Sequence, residues 1–110
     1  MTGLTGSEGQ RSEASAMAKV IVQHSVADYD TWFAVFTEHG EVRRRHGATG
    51  HSVTRSAADP NSVVIVNEFA TLEGATAFSQ DPSLRQAMAR AGVTSAPQVW
   101  IVNEADFATY

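Results

Sequence analysis

His24 stands near the end of an apolar, β-branched run, AKVIVQHSV at Ala18–Val26. An imidazole titrates near neutrality and can take a phenolic proton, so His24 is a candidate general base. It reads equally as a core histidine bonded to a backbone carbonyl. Asn67 and Glu68 close a second such run, NSVVIVNEF at Asn61–Phe69. Successive strand side chains point to opposite faces, so only one of the two can face a given pocket. The Asn67 amide can donate to a developing oxyanion. Glu68 can act as a base or orient a histidine, but reads better as an ion pair at a subunit seam. Trp32, Phe36, His39 and Arg43 follow one another at helical spacing. Trp32 and Phe36 can wall an aromatic ligand or simply fill core, and His39 reads as a solvated edge residue. Phe69 and Trp100 are further aromatic candidates for lining a substrate site, Trp100 reading also as core between sheets. Arg85 can anchor an acidic group or be a surface cation, and the second reading is preferred.

Other chemistries lack their residues. The sequence has no cysteine, which removes disulfides, thiolate nucleophiles and cysteine metal sites. Its histidines, His24, His39, His46 and His51, follow no ligand spacing, so no metal site is expected. No P-loop or Gly-rich dinucleotide fingerprint occurs. The net charge of −4 opposes nucleic-acid and anionic-membrane binding. The run Arg43-Arg44-Arg45-His46 complements a helix C-terminus and reads as structural. No apolar run approaches the roughly 20 residues of a membrane span, and no apolar secretory segment opens the chain. A cytoplasmic protein is the expectation.

The elements that must position these residues follow from local patterns. Residues 1–16 are rich in Gly, Ser and Thr and read as a disordered leader or a cloning remnant, with Met17 an alternative start. Residues 17–110 read as a single domain. A strand over Ala18–Val26 leads to Asp28, an N-cap. A helix then runs through Tyr29, Trp32, Phe33 and Phe36 to Arg43–His46, stopped by Gly47. A strand over Thr49–Ser56, the turn Asp59-Pro60-Asn61 and a strand over Asn61–Phe69 form a hairpin. Thr71 caps a helix to about Ser79, and Asp81-Pro82 starts another bearing Leu84, Met88 and Ala91. Gln98–Asn103 is the last strand. The fold class is α+β: a ferredoxin-like βαββαβ unit with an antiparallel sheet and its second helix broken in two. Val64 and Val66 oppose Val63, Ile65 and Phe69, so both sheet faces are apolar. Helices cover one face only, and a homodimer joined sheet to sheet covers the other.

Three stretches carry a resemblance: HSVADYDTWFAVF (His24–Phe36), ADPNSVVIVNEF (Ala58–Phe69) and TLEGATAFSQDPSLRQAMARAGV (Thr71–Val93). They resemble the dimeric α/β-barrel superfamily, and within it the antibiotic biosynthesis monooxygenase-like proteins. The resemblance implies a dimeric barrel of ferredoxin-like protomers with a pocket between sheet and helices. It implies an oxygenation without metal, flavin or other cofactor, in which an electron-rich phenol or anthrone reacts directly with O2. The haem-degrading branch of the superfamily places its haem-ligating histidine on the second helix, and no histidine lies between Thr71 and Gly92 here. Phe69 stands where that branch has tryptophan.

The expectation is therefore a cofactor-independent monooxygenase, or a related cyclase, acting on an aromatic polyketide-like molecule. His24 and Asn67 would be catalytic, and Trp32, Phe36, Phe69 and Trp100 would bind substrate. The alternative is a non-catalytic dimer that binds a small hydrophobic ligand. The two readings divide on whether His24 and Asn67 face one cavity.

Overall fold

The computed structural model describes residues 17–110; the expected leader lies outside them. Alternation of apolar and polar residues makes β1 (Ala18–Ser25) and β3 (Ser62–Phe69) half-buried strands, with every second side chain inside. Asp28 caps α1 (Tyr29–Glu38) by accepting from the Thr31 amide at 2.9 Å. The chain continues into α2 (Gly40–Arg45) after a joint at His39, whose φ of −75° and ψ of −1° barely interrupt the helical path. The expected single helix is thus two joined pieces. The Arg43–Arg45 turn lies at its C-terminus, as the dipole favours, and Gly47 takes a φ of +93°, a conformation that suits glycine.

β2 (Ala48–Arg55) and β3 form the expected hairpin. Thr71 caps α3 (Leu72–Ser79), and Asp81 caps α4 (Pro82–Arg90), with Pro82 at the first position. Asp81 also accepts from His46 Nε2 at 2.8 Å, tying the end of α2 to the start of α4. That bond, with the Ser83 amide, holds the Asp81 carboxyl well below the usual range. Gly74 packs so closely on the His46 carbonyl that no Cβ fits between them.

β4 (Gln98–Asn103) completes an antiparallel sheet of order β2-β3-β1-β4. This is the expected α+β, ferredoxin-like βαββαβ topology with a broken second helix. The helices cover one face, where Val20, Val22, Val63, Ile65, Phe69, Trp32 and Phe78 form the core. The opposite face is uncovered. Glu68 lies there and pairs within its own chain, with Lys19 at 3.7 Å, and Lys19 also reaches Glu104 at 3.4 Å. β4 is exposed along its length, including Val99, Trp100, Ile101 and Val102.

Candidate functional site

Parity along two central strands brings the main candidates together. His24 follows Val20 and Val22 on the inner face of β1, and Asn67 lies on the inner face of β3 beside Ile65. Both side chains are buried, and both line a cavity of about 40 Å³ between sheet and helices. Val20 is opposite Asn67 and His24 is opposite Val63, so Val22 and Ile65 floor the space between them. At about 3.4 Å per residue, four positions of register put the two Cα atoms roughly 14 Å apart. The two groups therefore serve opposite ends of the cavity.

Each end keeps one buried polar atom without a hydrogen-bond partner, His24 Nδ1 and Asn67 Oδ1. Burial lowers the His24 pKa, its own backbone partly opposing this, so the imidazole is neutral at pH 7 and able to accept a proton. One Asn67 amide N–H donates to the Val20 carbonyl at 3.3 Å. The unpartnered atom is the acceptor oxygen. That free position suits a hydroxyl that donates to it, while the second amide N–H is the one that could serve the expected oxyanion.

One helical stripe walls the cavity. Trp32 and Phe36 on α1, His39 at the joint and Arg43 on α2 all line it, because the joint keeps the helical phase. His24 meets Trp32 edge to face at 5.8 Å, and Trp32 stacks on Phe36 at 5.0 Å. His39 is not the solvated residue expected. It is buried, with Nε2 2.9 Å from the Ser83 hydroxyl across on α4, and desolvation lowers its pKa.

Arg43 was missed as a site residue. The residue is 6% exposed, and its guanidinium lies 3.8 Å over the Phe36 ring. The sequence places Arg43 on the stripe of Trp32 and Phe36, but its charge, with the rest of the basic run, reads as structural. The 32-36-39-43 spacing held the signal, since it puts Arg43 on the apolar face and Arg44 and Arg45 on the solvent side.

Phe69 and Trp100 do not line the cavity. Phe69 is fully buried one row beyond it and packs on Phe78 at 5.3 Å. Trp100 pairs with Ile21, whose parity is that of the uncovered sheet face, and stays 47% exposed. Arg85 is exposed, as expected of a surface cation. Among the described residues, no three His, Cys, Asp or Glu side chains converge on a metal-sized site, and no helix is long and apolar enough to cross a membrane.

No family model and no curated protein matches the sequence. Solved structures do match in three dimensions. SnoaB, a cofactor-independent oxygenase from Streptomyces nogalater, superposes with a TM-score of 0.68 at 14% identity, over 84% of this chain and 96% of that one. A Bordetella bronchiseptica protein assigned by name to the antibiotic biosynthesis monooxygenases gives 0.66 at 18% identity, over 82% and 98%. This is the fold of the antibiotic biosynthesis monooxygenase-like proteins. A conserved protein from Methanosarcina mazei also superposes, with a TM-score of 0.69 at 8% identity over 86% and 99% of the two chains. At such identities the match concerns backbone, and the chemistry of this chain rests on its own side chains.

Proposed function

We propose that the chain is a small-molecule enzyme that deprotonates a hydroxylated aromatic substrate and oxygenates it without a cofactor, or carries out a related proton transfer such as cyclisation. The observation that carries this reading is the single cavity holding both His24 and Asn67, each with an unpartnered buried polar atom. Buried polar groups are otherwise almost always bonded, so two orphans facing one cavity call for a partner that enters it. The fold shared with SnoaB, itself a cofactor-independent oxygenase, supports the same direction.

His24 takes the hydroxyl proton, and the electron-rich ring carbon para to that oxygen then bonds to O2. The distal peroxide oxygen receives the proton from His24. Loss of the para C–H proton with O–O cleavage leaves a quinone and water. One oxygen atom enters the ring, the other becomes water, and the ring supplies all four electrons. Trp32 and Phe36 hold the ring and exclude water, and Asn67 Oδ1 accepts from a second hydroxyl.

A second reading has its own support. The cavity holds about three waters at 10–15 Å³ each, and His24 and Asn67 stand far apart, which fits a binding protein that moves no proton. Oxygen uptake with a panel of phenols, hydroquinones and anthrones separates the two. Uptake above background that falls in His24→Ala supports the enzyme. No uptake, with thermal stabilisation by one of the same compounds, establishes the binding reading.

The proposed assembly is a homodimer through the uncovered sheet face and β4. Val99, Trp100, Ile101 and Val102 form an apolar edge strand exposed on both sides, which a second copy would cover. The working location is the cytoplasm.

A further inference from the structure

Arg43 lies at a junction. On one side is the cavity that holds His24 and Asn67, and on the other a surface pocket of about 210 Å³ lined by Gly40, Arg43, Arg44, Thr49, Gly50 and His51. The side chains of that pocket offer two guanidiniums, a hydroxyl and an imidazole, and among the described residues no carboxylate lines it. Of the two guanidiniums, that of Arg44 pairs with Glu41, while Glu68 and Glu104 pair with Lys19, Glu38 with Arg90 and Asp81 with His46. Arg43 has no ion pair among the described residues.

A buried cation without a counter-charge is costly unless something compensates it. Phe36 compensates one face of the guanidinium through its ring, leaving the N–H donors along the edge. Burial draws the Arg43 pKa down to about 10, so the group is still charged at pH 7. Its field, after burial, further lowers the pKa of His39 and His51. Both imidazoles are therefore neutral, and the positive charge at the junction stays on Arg43.

We propose that the ligand is an aromatic acid whose carboxylate binds the edge of Arg43 from the surface pocket while its ring enters the cavity toward Trp32. This rests on reading the cavity as the ligand site. A planar guanidinium matches a carboxylate two N–H bonds at a time, which Lys does not. Asn67 Oδ1 then accepts from a ring hydroxyl, making a hydroxylated benzoate a better fit than benzoate. Gly40 takes part by its smallness: a Cβ there would stand 3.2 Å from Arg43 Nη2 and push the guanidinium.

The test is calorimetric binding of 3-hydroxybenzoate, whose carbon para to the hydroxyl carries a hydrogen, and of benzoate and phenol, to the full chain and to Arg43→Met and Arg43→Lys. Charge-assisted bonds of this kind predict a loss of about tenfold or more for the acids in Arg43→Met, with partial recovery in Arg43→Lys and no change for phenol. Gly40→Ala, which keeps the charge but displaces it, weakens the acids too, and serves if Arg43→Met does not fold. Acids that bind no tighter than phenol, or equally well to the displaced and neutral variants, overturn the proposal. Arg43-dependent binding of the acid without oxygen uptake overturns the oxygenase and keeps the anion site. Uptake with neutral phenols that ignores Arg43 does the reverse.

Discussion

Replacing Asn67 by leucine should stabilise the ligand-free protein while removing ligand recognition at that end of the cavity. Asn67 is buried, donates one hydrogen bond of 3.3 Å to Val20, and leaves Oδ1 without a partner. An unsatisfied buried acceptor costs about 1–3 kcal/mol. The hydrogen bond contributes about 0.5–1.5 kcal/mol, and at 3.3 Å it falls at the lower end. Leucine is close to asparagine in shape, so little packing is lost. The difference is a gain of about 1 kcal/mol, which raises the melting temperature of a domain of this size by about 4–8 °C. Calorimetry of the two ligand-free proteins at pH 7.5 measures it. The same variant should lose the stabilisation given by a hydroxylated benzoate. A melting temperature that falls in Asn67→Leu would refute the reasoning, because the amide would then be a structural clamp on β1 rather than a group kept at a cost for a ligand. Such exchanges of stability for function are common at binding sites.

Other outcomes follow from the same structure. The pKa values of His24, His39 and His51 are all lowered, chiefly by burial, so the unfolded chain binds protons before the folded one. Stability should be full above about pH 6.5 and fall as pH drops through that value; melting curves from pH 8 to pH 5.5 check this, and His24→Leu should flatten the slope. Gly74→Ala drives a methyl group into the His46 carbonyl and should cost about 1–3 kcal/mol, read as a lower urea midpoint. Trp100→Lys places a charge on the exposed β4 edge. In light scattering it should shift a dimer toward monomer with the fold intact by circular dichroism; an unchanged mass would exclude this face as the interface.

Strand parity and turn chemistry made the fold legible from the residues. Val20, Val22 and His24 had to share a face, and Asp28, Thr71 and Asp81 announced the starts of helices. Parity also left Asn67 and Glu68 on opposite faces, which the structure resolves in favour of Asn67 facing the cavity. Three features were not legible. The joint at His39 has no proline to announce it, since the residue stays near helical angles. The burial of His39 depends on α4 crossing beside it, a contact between segments 44 residues apart. The place of Arg43 on the stripe was legible, but its role was not, because its charge reads, with that of its neighbours, as complementing the helix end.

The cavity has a floor and a roof of different kinds. Its floor, at Val22 and Ile65, comes from the two strands that are paired on both sides, so a change there disturbs two ladders at once. Its roof includes Leu84 and Met88, half-buried on a single nine-residue helix. Trimming those two side chains enlarges the chamber without touching the polar groups at either end. Descendants of this sequence, natural or selected in the laboratory, can thus change the size of the molecule they admit by drift along α4 alone, keeping the same chemistry below it.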